Sequence, residues 1–93
     1  MKINMLKQTL TIINRLGLHA RAAAKLVKLA SQFESEVLVK RKQREVNGKS
    51  IMGVMLLAAA RGTEIELSID GADEAVAMAS ISDLVQSGFG EEE

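Results

Sequence analysis

Thr63 to Asp70, TEIELSID, alternates more cleanly than any other stretch of the chain. Side chains of an extended backbone point alternately to opposite faces, so Ile65, Leu67 and Ile69 share one side and Glu64, Glu66 and Ser68 the other. That is a strand with one buried and one wet face, the pattern of a sheet covered on a single side.

Working outward, the Asp70-Gly71 turn leads into Ala77, Met78, Ile81, Leu84 and Val85, spaced as one face of a helix that Gly88 ends, with an acidic tail at Glu91 to Glu93. On the other side lies Ile51 to Ala60 (IMGVMLLAAA), a helix with Ser50 as its N-cap, Arg61 in its last turn and Gly62 after it. Asn47-Gly48-Lys49 is the turn before it. Glu36 to Arg41 (EVLVKR) and Glu45 to Asn47 (EVN) predict two short strands joined around Lys42, without the Asn-Gly or Asp-Gly of a strong hairpin signal. From Ala20 to Phe33, Ala23, Leu26, Val27, Ala30 and Phe33 recur at helical spacing. Leu6 to Ile13 (LKQTLTII) sets Leu6, Gln8, Leu10 and Ile12 on one strand face. The order is βαββαβα, and an α+β fold buries these stripes economically: one four-stranded antiparallel or mixed sheet with three helices on one face.

Ninety-three residues make a single domain, 1–93, with no room for a second. Twelve basic and twelve acidic residues cancel, and Phe33 and Phe89 are the only aromatics, so neither charge nor stacking surface favours a nucleic acid partner. Cysteine is absent, which excludes disulfides, thiolate nucleophiles and cysteine-bound zinc. Neither a signal-peptide core nor an apolar run long enough for a membrane span occurs, and the expectation is a cytoplasmic protein. Translation from Met1 or from Met5 fits equally, because the first strand needs only Leu6 onward.

The one histidine, His19, stands in Leu16-Gly17-Leu18-His19-Ala20-Arg21-Ala22-Ala23-Ala24-Lys25, where a glycine-containing loop gives way to an alanine-rich helix. The first amides of a helix lack internal partners and its dipole makes that end partly positive, which suits an anion. Gly17 permits a tight turn and close approach, and Arg21 offers a forked charged group for phosphate oxygens. A neutral imidazole is a competent nucleophile towards phosphorus. A lone histidine at a helix start is also commonly an exposed or capping residue without chemistry, and on these residues alone both readings stand. Metal binding is disfavoured by the lack of a second histidine or cysteine. Gly48-Lys49-Ser50 echoes a P-loop ending, but position 43 is Gln43 where that loop needs glycine.

Taken together, GLHARAAAKLVKLASQF (Gly17 to Phe33) and NGKSIMGVMLLAAARGTEIEL (Asn47 to Leu67) closely resemble the HPr family of phosphocarrier proteins of the bacterial phosphoenolpyruvate-dependent phosphotransferase system. The likeness runs in order over nearly the whole chain. It implies an open-faced βαββαβα sandwich, phosphorylation of His19 on Nδ1 by phospho-enzyme I, and Arg21 steadying the phosphoryl group with the backbone at Gly17, Ala20 and Ala22. It implies onward transfer to a IIA-type protein, no cofactor, and no turnover by the carrier alone. Ser50 matches the family's regulatory serine, the target of HPr kinase/phosphorylase, although a serine before a helix is equally a structural N-cap. Where the family often carries proline after the Gly-Leu-His-Ala-Arg run, this chain has Ala22; alanine keeps the helix favourable but leaves its start less rigid.

A shared docking face follows. Met52 and Met55, soft and adaptable, would lie with Ile51 and Gly53 beside Ala24, inside a basic rim of Lys25, Lys28 and Lys49, while Leu56 and Leu57 turn inward; core filling is the equal alternative for the two methionines, and plain solvation for the lysines. Transient docking with two partners predicts a monomer. The alternatives are a nitrogen-related phosphocarrier and a regulatory binding module acting through phosphorylated Ser50; the intact His19-Ala20-Arg21 weighs against the second.

Overall fold

The computed structural model describes residues 5–91. Met1, Glu92 and Glu93, on which the start-site and acidic-tail expectations partly rest, lie outside them. The chain runs β1 (Leu6–Thr11), α1 (Ala20–Ala30), β2 (Glu36–Arg41), β3 (Arg44–Asn47), α2 (Ile51–Leu56), β4 (Glu64–Asp70) and α3 (Glu74–Gln86), then a single 3-10 turn, Gly88–Gly90. The strands lie in the order β1-β4-β2-β3 and every pairing is antiparallel. The alternating stretch is therefore central: β4 pairs with β1 from Leu6 opposite Ile69 to Thr11 opposite Glu64, and with β2 from Glu36 opposite Asp70 to Lys40 opposite Glu66.

Register puts Leu10 beside Ile65, Val39 beside Leu67 and Val37 beside Ile69, one apolar layer on one face of the sheet. The three helices cover that face. Ala22, Ala23, Leu26 and Ala30 of α1, Val54 of α2, and Ala77, Met78, Ile81 and Val85 of α3 complete the core. Each large aliphatic side chain so buried contributes about 1.5–3 kcal/mol over an exposed one. Gln8 occupies the same layer opposite Leu67, and its side-chain oxygen accepts a hydrogen bond from the Ser82 hydroxyl at 3.2 Å, which satisfies the polar group. Ser68 departs from the expected wet face: it is buried, because a central strand has neighbours on both sides, here Lys7 and Leu38.

Most boundaries match the periodic pattern, with instructive exceptions. The Lys42-Gln43 hairpin closes without glycine because Lys42 itself takes the left-handed conformation, φ 55°. The first helix ends at Ala30 instead of Phe33, since Gln32 and Phe33 donate to carbonyls only three residues back. The second is much shorter than Ile51 to Ala60. It stops at Leu56, Ala58 turns left-handed at φ 48°, and Arg41 and Arg44 donate to the freed carbonyls of Leu57 and Leu56. Arg61 and Gly62 thus lie in a separate turn that meets the chain just past β1, Gly62 N–H donating to the Ile12 carbonyl at 2.7 Å. No helix among the described residues is long and apolar enough to cross a membrane.

Candidate functional site

The early end of α2 shapes the loop before α1. Released from the helix, the chain at Ala59 runs alongside that loop, and its carbonyl accepts the Leu18 N–H at 2.9 Å. Gly17 makes the approach possible: it sits at φ 67°, and a Cβ there would stand 2.4 Å from the Ala59 oxygen. Asn14, almost wholly buried, ties the same loop from within, donating from Nδ2 to the Gly17 carbonyl at 2.7 Å while its own carbonyl accepts from the Gly17 N–H.

The loop delivers His19 as the N-cap of α1, in extended conformation (φ −72°, ψ 176°). Its carbonyl accepts the Ala23 N–H at 2.8 Å, and no side chain caps the helix end. The amides of Ala20, Arg21 and Ala22 thus have no acceptor within the helix, and the first turn holds no acidic residue to offset its dipole. Around that end His19, Ala20, Arg21, Lys25, Leu16, Gly90 and Glu91 line one open cavity. Ala22, without the proline ring, packs its methyl fully into the core.

The third wall comes from the other end of the chain. Gly88, Phe89 and Gly90 are all left-handed, with φ of 66°, 59° and 68°, a tight reversal anchored by the fully buried Phe89 ring. The Phe89 carbonyl accepts from Lys25 Nζ at 2.7 Å. Glu91 is thereby turned back over α1: one carboxylate oxygen accepts from Asn14 Nδ2 at 3.0 Å, the other meets His19 Nε2 at 2.5 Å. Burial of this carboxyl raises its pKa, but the hydrogen bonds from Asn14 and His19 and the charges of His19 and Lys25 outweigh that and hold it below the ordinary carboxylate value.

Asn14 and Glu91 are the site residues that pattern reading missed. Asn14 falls just past the first expected strand, Leu6 to Ile13, and Glu91 begins the expected acidic tail. The available signal was Gly88-Phe89-Gly90: an aromatic in a chain with only two, flanked by residues suited to sharp reversal.

The second predicted cluster lies on α2, which packs beside α1. Ser50 is its N-cap, its hydroxyl accepting the Gly53 N–H at 3.1 Å. Gly53 also lies close against Val46. Met52 is 78% exposed, and Ile51 and Met55 are exposed beside it. Leu57 is buried on the side of Val54, but Leu56 lies one helical turn after Met52 and shares its outward face, so Leu56 joins the exposed apolar group. Of the expected basic rim, Lys28 is exposed, whereas Lys25 and Lys49 bond backbone carbonyls, Lys49 Nζ that of Phe33 at 2.7 Å. Ala24 is half-buried. No group of three or more potential metal ligands occurs among the described residues.

Comparison with known proteins identifies the family and the fold. The family model "PTS HPr component phosphorylation site" matches residues 6–87, a span that stops short of Glu91. The chain is 62% identical over 89 residues to the phosphocarrier protein HPr of Neisseria meningitidis serogroup A, covering 96% of this chain and all of that one. Among solved structures, HPr-C-His from Thermoanaerobacter tengcongensis superposes with a TM-score of 0.92 at 45% identity, over 96% of this chain and 100% of that one. The HPr dimer from the same organism gives 0.75 at 45% identity, over 88% and 94%. By sequence and by fold, this chain belongs to the HPr family of phosphocarrier proteins of the bacterial phosphotransferase system.

Proposed function

We propose that His19 accepts a phosphoryl group from phospho-enzyme I on Nδ1 and passes it to a IIA-type protein. The observation that carries this reading is the position of His19: half-exposed, at an uncapped helix N-terminus, in an open cavity shared with Arg21 and Lys25. Among the described residues no hydrogen bond engages Nδ1. Its lone pair attacks phosphorus, the donor leaves with the electron pair of the broken bond, and the new P–N bond sets three phosphoryl oxygens in the cavity that Arg21 and the uncapped start of α1 line. That environment stabilises the charge without enclosing it, as a carrier needs. The acceptor then repeats the step in reverse, and the pair returns to Nδ1.

The exposed Ile51, Met52, Met55 and Leu56 of α2, the helix that packs against α1, form the face both partners use, with the protein acting as a monomer. Ser50 is the regulatory position of the same face. HPr kinase/phosphorylase transfers phosphate to its hydroxyl, adding about −1.5 to −2 charges. The phosphate is tolerated at the start of α2, so the effect is repulsion of an acidic partner, not unfolding.

The test is incubation with phosphoenolpyruvate, Mg²⁺ and enzyme I, read by intact mass. The native chain gains one phosphoryl group, labile in acid and stable in alkali, and His19→Ala gains none. Absence of the gain in the native chain, with an enzyme I active on another carrier, overturns the reading.

A further inference from the structure

The structure assigns Glu91 a positioning role: we infer that its carboxylate fixes the ring of His19 through Nε2 so that Nδ1 is presented as the nucleophile. The inference rests on the phosphocarrier reading above and adds to it a residue from the opposite end of the chain. Five observations meet at this carboxylate. Phe89 pins the turn into the core, and three successive left-handed residues reverse the chain towards α1. Lys25 holds the turn by the Phe89 carbonyl. Asn14, which also sets the Gly17 loop, takes one carboxylate oxygen. The other oxygen takes His19 Nε2.

An ionised carboxylate only accepts hydrogen bonds, so the nitrogen facing it carries the proton. With Nε2–H committed to Glu91, the lone pair of the neutral ring is on Nδ1, directed away from the carboxylate. The same contact then acts on the product. When Nδ1 takes the phosphoryl group, the donor bond breaks with its electron pair leaving on the donor, Nε2 keeps its proton, and the ring becomes a cation. Its positive charge lies against Glu91, whose partner oxygen remains tied to Asn14. When the acceptor withdraws the phosphoryl group, the pair returns to Nδ1 and the ring is neutral again with its proton unmoved. No proton transfer is required in either direction, which suits a rapid two-way carrier.

The experiment compares the native chain with Glu91→Ala and Glu91→Gln, reading the His19 ring proton on Nε2 by proton NMR and the initial rate of phosphoryl gain from enzyme I. In the native chain a hydrogen-bonded Nε2–H resonance is expected, sheltered from exchange. In Glu91→Ala it is lost to exchange with water and the rate falls about tenfold, the order of one charge-assisted hydrogen bond. Glu91→Gln, which keeps an acceptor oxygen without the charge, recovers part of both. Thermal midpoints of the three proteins, expected to agree, exclude loss of the fold. A native ring without the sheltered proton, or a Glu91→Ala protein that accepts phosphate at the native rate or faster, overturns the inference. Either result leaves the phosphocarrier reading intact as long as the native chain is phosphorylated and His19→Ala is not.

Discussion

Replacing Gly17 with alanine should separate two costs that are usually confounded. The first is conformational: at φ 67° an L-residue is left-handed, at about 1–2 kcal/mol. The second is steric, because the added Cβ meets the Ala59 oxygen at 2.4 Å and the Ala60 Cα at 2.9 Å. Both are backbone atoms, and the Ala59 oxygen also holds the Leu18 N–H. Moving it away stretches that hydrogen bond and disturbs the buried Leu18 and Ala59, an overpacking cost of about 1–3 kcal/mol. Gly90 supplies the matched control, with φ 68° and nothing within 4 Å of its virtual Cβ. Both substitutions remove the same freedom from the unfolded chain, so this contribution cancels in their difference. In urea unfolding, Gly90→Ala is expected to lose about 1–2 kcal/mol and Gly17→Ala about 2–5 kcal/mol. For a domain this small, each kcal/mol corresponds to about 4–8 °C in thermal midpoint. Equal losses, within about 0.5 kcal/mol, would refute the claim that Ala59 fixes the histidine loop.

Phe89→Ala removes a fully buried ring and is expected to cost about 3–5 kcal/mol in urea unfolding, with slower phosphorylation because Glu91 loses its anchor. Met52→Glu, at a residue 78% exposed, should leave stability within about 0.5 kcal/mol while slowing transfer from enzyme I; an unchanged rate refutes the docking face. Ser50→Ala, by removing the N-cap hydroxyl, should lower stability by about 1 kcal/mol and abolish modification by the kinase while His19 is still phosphorylated. The carboxyl of Asp73 is held below its ordinary value of 3.8, first by the Ser35 hydroxyl and then by the Glu34 amide, against the opposing effect of burial. A depressed folded pKa contributes stability that is complete above the unfolded value and lost as pH falls through the folded one. Asp73→Asn is therefore expected to flatten the acid limb of a stability profile below about pH 4, and an unaltered limb counts against the linkage.

The central strand was legible because burial at β4 imposes a period of two that nothing else in TEIELSID disturbs, and the helices because their apolar residues must face that sheet. The ends were less so. The close of α2 depends on Arg41 and Arg44, donating across 16 and 12 residues of chain to the carbonyls of Leu57 and Leu56; the run IMGVMLLAAA has no local reason to stop at Leu56. Ser68 and Leu56 exchanged their expected environments for different reasons, one because its strand is central and the other because it follows the exposed Met52 by one helical turn. At the site, His19, Arg21 and Gly17 were readable from adjacency, a helix start beside a glycine. Asn14 and Glu91 were not, since their partnership spans 77 residues of chain.

These two kinds of failure have one physical origin, and it bears on how the histidine is held. The early end of α2 frees Ala59 to bond the loop at Leu18, and the reversal at Gly88 to Gly90 brings Glu91 to the ring from the opposite side. One contact sets the backbone that carries the histidine, and the other sets its side chain. Asn14 joins them, with Nδ2 donating to both the Gly17 carbonyl and Glu91. Asn14→Ala should therefore act on both supports together: its effect on transfer should be no larger when combined with Glu91→Ala than the coupled contact allows. In a double-mutant cycle on the initial rate, the two substitutions are expected to be strongly non-additive. Strict additivity would mean that the loop and the C-terminal turn position His19 independently, and that the shared asparagine is no more than a buried amide finding the nearest acceptors.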